Sequence, residues 1–146
     1  MTDPRAYMLI LADAGRDEHP DLRLVKLLRT FRQTANAHGA SDKPIWVSEV
    51  AWSSCKQSGH SYPAKCRNNA LATNEAGQRY YLMRMYNLLI NNAPALRLRR
   101  VAWYSWKDPP VSRATCRFCY GSGVFRRDGS RKPAWSAYVS LAGGRL

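Results

Sequence analysis

Apolar residues in this chain switch repeatedly between two spacings, and that switching limits the folds open to it more than any other feature. Tyr7 to Ala12 (YMLILA) is a continuous apolar run that reads as a buried strand, with a helix start as the alternative for so short a run. A charged loop, 13–20, follows. From Asp21 to His38 the spacing becomes helical, with Leu24, Leu27, Leu28, Phe31 and Ala35 recurring on one side and Gly39 just beyond as a left-handed cap. Ile45 to Val50 reads as a strand. Ser53 to Asn69 carries turn residues throughout and reads as a long loop. Asn74 is placed to cap a second helix, Glu75 to Asn92, with Tyr81, Leu82, Met85, Leu88 and Leu89 on its buried side and Pro94 as its stop. Arg100 to Trp106 reads as a further strand. Val124-Phe125 and Asp128-Gly129 predict a tight hairpin, and Pro133 opens a last helix, Ala134 to Leu141. Strand, helix, strand, helix, strand, helix predicts parallel strands with crossover helices, an α/β fold in a single domain.

Charge narrows the partners. The 146 residues carry a formal net charge of +13, mostly arginine, with Arg97, Arg99 and Arg100 the densest cluster. A surface this basic attracts anionic polymers non-specifically. No zinc-finger histidine pair, aromatic RNA-binding pattern or basic heptad arm accompanies the charge, so a dedicated nucleic-acid role has no motif behind it. The run at 7–12 is too short to span a bilayer, and the start lacks the basic region and cleavage site of a signal peptide. No membrane partner and no cofactor are expected, and localisation is left open.

The stretch KPIWVSEVAWSS, residues 43–54, ends an apolar strand on a carboxylate, Glu49. In parallel α/β folds the reactive groups sit at the carboxyl ends of strands. Asp108 follows the next strand in the same way, and Trp52 and Trp106 lie close to these acids in sequence. Aromatic faces beside a carboxylate suit a sugar: the ring C–H face stacks on indole, and the carboxylate meets an oxocarbenium-like centre. The plainer readings are a solvated strand end or arginine partner for Glu49, and a turn-opening Asp-Pro-Pro for Asp108.

These segments together resemble a known family. KPIWVSEVAWSS resembles the seventh strand of (β/α)8-barrel glycoside hydrolases of the broad cellulase-like clan, and RVAWYSWKDPP (100–110) resembles their eighth. GSGVFRRDGSRKPAWSAY (121–138) resembles the closing segment into the last helix, with EAGQRYYLMRMYNLLI (75–90) as the helix between. CRFCYGSG resembles an element of bacterial glycosyl hydrolase-like proteins. The resemblance covers about residues 20 to 142. It implies a partial TIM barrel, roughly the last three strand–helix units, with residues 1–146 a single C-terminal portion of the hydrolase domain. It further implies retaining O-glycosyl hydrolysis with Glu49 as nucleophile, Trp106 beneath the sugar, Trp52 and Tyr104 as substrate neighbours, no metal, and an oligo- or polysaccharide partner; Asp108 is a substrate-binding candidate from its position after the strand alone.

Ser48 and Ala51 stand where threonine and glycine are more usual in that family. The larger departure is the second carboxylate that a retaining enzyme needs as acid/base. In the family it follows an asparagine on the fourth strand, outside the resembling segments. The chain's own Asn74-Glu75 reads as a helix cap instead. His19 echoes a His-Pro of the sixth strand in poor register, and His60 is a loop histidine. A partial barrel exposes strand edges, so self-association or a missing barrel half is an expected partner. Family members are typically secreted. Disulfides are then the default for the four cysteines, most simply Cys55–Cys66 and Cys116–Cys119, although four cysteines permit three pairings, and a structural zinc site held by all four thiolates and free thiols are the rivals. Two other functions stay open: a non-catalytic carbohydrate-binding remnant, and a basic nucleic-acid-associated protein.

Overall fold

The computed structural model describes residues 20–59, 62–68, 72–110 and 119–143. The expected strand at 7–12, His19, His60 and Cys116 lie outside the described residues. Described elements run α1 (Pro20–Ala37), β1 (Ile45–Val50), α2 (Ala64–Arg67), α3 (Glu75–Leu96), β2 (Leu98–Trp103) and α4 (Pro133–Leu141). β1 and β2 pair as a two-stranded parallel sheet, joined through α3. The chain is therefore a small α/β fold, and the described residues form an open sheet rather than a closed barrel. It divides into two compact units, one of residues up to 50 with 87–102, the other of 51–86 with 103–146.

In the first unit, α1 buries Leu24, Val25 and Leu28, while Leu27 and Phe31 of the predicted apolar side are exposed. The helix therefore presents a narrower buried stripe than its composition suggests. Ile45, Val47 and Val50 of β1 are buried, as are Leu89 and Leu96 of α3 and Leu98 of β2. Arg32 contributes polar bonding that helical periodicity does not reveal. Its guanidinium, 7% exposed, donates to the carbonyls of Leu96 (3.1 Å), Ala40 (3.2 Å) and Lys43 (2.6 Å). One side chain thus ties the end of α3 to the loop entering β1, satisfying the Leu96 carbonyl that the helix end leaves unpaired together with two loop carbonyls. On the other side of β1, Trp46 is 60% exposed, with the Arg100 guanidinium 4.5 Å from its ring centroid.

α3 passes Pro94 and continues to Leu96. A proline lacks one N–H, which is a small loss in a final turn. The stop is Arg97, in the left-handed conformation at φ 53°, whose N–H bonds back to the Pro94 carbonyl at 3.2 Å. Its own carbonyl accepts from Ile45 N–H at 2.9 Å, so the chain enters β2 at once.

In the second unit the expected cap is present: Asn74 Oδ1 accepts from Gly77 N–H at 2.8 Å. Residues 64–67 form one helical turn within the segment read as loop. The strand predicted over 100–106 ends at Trp103. Beyond it the chain changes partner, because the Trp106 carbonyl accepts from Val124 N–H (3.1 Å) and Phe125 N–H (3.0 Å). The hairpin closes through Arg126 N–H to the Ser130 carbonyl (2.8 Å), with Asp128 Oδ1 accepting from Ser130 N–H. Leu82, Val124, Ala134 and Ala137 form one apolar cluster, and Cys55, Tyr62, Cys66, Ala72 and Tyr120 another.

Candidate functional site

Glu49 is the penultimate residue of β1 and is half-buried. No described residue hydrogen-bonds or ion-pairs its carboxylate. A strand end is where backbone pairing stops and a side chain can address a ligand, as the position in the sequence suggests.

The other predicted residues belong to the second unit, and the structure sorts them sharply. Trp52 is 3% exposed, its ring stacked on Tyr81 at 5.2 Å with 13° between planes. Trp106 is 60% exposed and rests on two further rings, Phe125 (5.0 Å, tilted) and Trp135 (5.0 Å, edge to face). Tyr104 is half-buried with its hydroxyl 3.8 Å from Cys119 Sγ. Among these aromatics Trp106 presents the open face.

Asp108 is 4% exposed and fully occupied within the protein. Lys132 Nζ lies 2.8 Å from each of its oxygens, Gly123 N–H donates to Oδ1 at 2.9 Å, and the Tyr62 hydroxyl donates to Oδ2 at 2.8 Å. Lys132 has a side chain with no solvent exposure, and it also donates to Ser54 Oγ and the Gly121 carbonyl, each at 3.0 Å. All three ammonium hydrogens can therefore be satisfied, which makes the burial of this charge tolerable. Burial pulls the Lys132 ammonium below its ordinary range against the opposing pull of Asp108. Burial, reinforced by the Asp108 charge, pushes the Tyr62 phenol well above its ordinary value, so it stays protonated as a donor.

This buried network fastens the segment 119–123. The Gly121 carbonyl accepts from Ser54 N–H, Ser54 Oγ and Gln78 Nε2, each at 2.9 Å. Ser53 Oγ bonds the Tyr120 carbonyl, and Trp103 Nε1 donates to the Ser122 carbonyl at 2.8 Å. A Cβ on Gly123 would sit 2.4 Å from the Asp108 backbone nitrogen, so only glycine lets the strands approach this closely. Cys55 and Cys66 form a disulfide with Cα atoms 6.0 Å apart, which removes these two thiols from the zinc alternative. Among the described residues no group of three His, Cys, Asp or Glu side chains could hold a metal, and no helix is long and apolar enough to cross a membrane.

Sequence reasoning did not find Lys132, Tyr62, Gln78 or the Glu75–Arg126 ion pair (2.5 Å). The only signal was scarcity: with 10 acidic residues against 23 basic ones, each acid has cationic candidates, but spacing does not choose among them.

No protein-family model matches the chain, and no curated protein matches it. Among solved structures the chain is similar in fold to part of the beta-D-glucuronidase of Dictyoglomus thermophilum, a barrel-type glycoside hydrolase. The TM-score is 0.50 and the identity 19%, over 81% of this chain and 18% of that one. The chain thus spans about a fifth of the length of the structure it matches. At this identity the likeness is one of fold.

Proposed function

We propose that this chain is part of a retaining glycoside hydrolase of (β/α)8-barrel type, with Glu49 as the nucleophile. The observation that carries the reading is the placement of a half-buried carboxylate, without a described partner, at the carboxyl end of a parallel strand in a chain whose fold resembles part of a barrel glycosidase. In this reading the Glu49 carboxylate attacks the anomeric carbon and the glycosidic oxygen leaves with a proton from a second carboxylate. Water then releases the covalent sugar. The second acid must lie about 5–5.5 Å from the nucleophile, and the reading assigns it to a barrel segment other than those this chain resembles. Trp106 and Tyr104 are the proposed sugar neighbours.

The test is hydrolysis of a panel of aryl glycosides and β-glucans by the purified chain and by Glu49→Gln, with mapping of the residue labelled by a 2-fluoro-glycoside. The chain alone is expected to show no turnover; supplied with the missing barrel segments, it should gain activity that Glu49→Gln loses, with the label on Glu49. Activity retained in the variant, or a label on another acid, overturns the assignment. A second reading, a carbohydrate-binding remnant without turnover, is favoured by one observation: Trp106 is an exposed ring held firmly by two others. Polysaccharide binding that survives Glu49→Gln but not Trp106→Ala, without hydrolysis by either protein even when those segments are supplied, would select it.

A further inference from the structure

Exposed cations lie on the segments that carry Trp106 and the two rings beneath it. Lys107 bridges Phe125 in parallel register, and Phe125 bridges Arg131 in antiparallel register. Residues directly opposite across such bridges direct their side chains to the same face, so Lys107 and Arg131 flank Phe125. The Arg131 guanidinium lies 5.9 Å from the Trp135 ring centroid, and Trp135 supports Trp106 edge to face. Lys107 Nζ reaches over the hairpin, 3.8 Å from where a Cβ on Gly129 would stand. Lys107, Arg127 and Arg131 are all exposed, and among the described residues of the second unit the exposed carboxylate is Asp128, which accepts from Ser130 within the hairpin. Arg126, by contrast, is committed to Glu75.

We infer that this surface binds an acidic glycan, with the Trp106 ring under a sugar and Lys107 and Arg131 on the carboxylate of a uronate residue. The inference deepens the carbohydrate reading above and rests on it. The planar guanidinium offers paired N–H donors that match a carboxylate, while the indole offers the apolar face a sugar ring needs. A neutral glycan would use the ring and leave the cations idle.

The test compares the full chain with a glucuronate oligomer, the neutral glucose oligomer of the same linkage and length, and oligo(dT), by calorimetry or tryptophan fluorescence at low and moderate salt. The glucuronate oligomer should bind roughly two- to thirtyfold more tightly than the neutral one, the range for two exposed charge contacts. Lys107→Gln/Arg131→Gln should erase that margin, and so should salt. Trp106→Ala should weaken both glycans. An unchanged far-ultraviolet circular dichroism spectrum and a single cooperative urea transition show that the variants are folded. Equal affinity for acidic and neutral oligomers overturns the inference and leaves the glycosidase reading standing. No binding to either glycan overturns the inference, whereas the glycosidase reading is decided separately by the residue that the 2-fluoro-glycoside labels. Binding to oligo(dT) that exceeds binding to glucuronate overturns the inference in favour of a nucleic-acid surface.

Discussion

Replacing Lys132 with methionine keeps most of the side-chain volume and removes the charge. In the native protein the ammonium touches both Asp108 oxygens at 2.8 Å, with Ser54 Oγ and the Gly121 carbonyl at 3.0 Å. Lys132→Met leaves the Asp108 carboxylate buried with only the Tyr62 hydroxyl and the Gly123 N–H. Removing one member of a buried ion pair costs about 3–5 kcal/mol, and the two bonds Asp108 retains place the loss at the lower end, ~3 kcal/mol. With a urea slope of about 2 kcal/mol/M, the unfolding midpoint should fall by roughly 1.5 M. The double variant Lys132→Met/Asp108→Asn should recover part of this, since the orphaned charge is gone, and so the two changes should be non-additive by about 1 kcal/mol or more. Urea unfolding followed by tryptophan fluorescence measures each step. A loss below about 1 kcal/mol for Lys132→Met, or simple additivity in the double variant, would refute the claim that this pair anchors the segment 119–123.

Trp52 and Trp106 should separate in their effects on stability. Trp52→Ala should lose about 3–5 kcal/mol as a buried ring, while Trp106→Ala should lose under about 1.5 kcal/mol; equal midpoints in urea would contradict the burial difference. Opening the Cys55–Cys66 disulfide, which closes a loop of sequence separation 11, should lower stability by about 2–3 kcal/mol, read as the difference between oxidised protein and Cys55→Ala/Cys66→Ala. An unchanged midpoint would show that the loop is held without it. Tyr62 and Tyr86 both have phenol values raised by burial above an ordinary value of 10.0. Their protonated forms are favoured by the fold, so that stability is complete below pH 10 and is lost as pH rises above it, at about 1.4 kcal/mol per pH unit for each group. Lys132, whose ammonium is lowered below an ordinary 10.5, acts with the opposite sign only until that pH is passed. Unfolding measured from pH 9 to 11.5 should show this fall, and Tyr62→Phe or Tyr86→Phe should each flatten it; a slope unmoved by both would refute the assignment.

Features that depend on neighbours along the chain were legible in the amino-acid order. β1 at Ile45–Val50, the Asn74 cap, the hairpin at Asp128-Gly129 and the proline-led α4 are set by local spacing and local bonds. The strand-end position of Glu49 followed from the same pattern. Other features turn on distant partners, and these emerge only once the chain is folded. β2 ends at Trp103 because residues 105 and 106 pair with residues near 124, a choice the β-forming composition of the stretch does not contain. α3 passes Pro94 because one lost N–H in a last turn costs little once Arg97 closes the helix. Trp52 and Trp106 look alike in sequence, yet one is stacked inside and the other stands open, since a side chain's burial depends on which rings the fold brings to it. Asp108 and Lys132 are 24 residues apart, and their union depends on a buried site dry enough to make pairing obligatory for both charges.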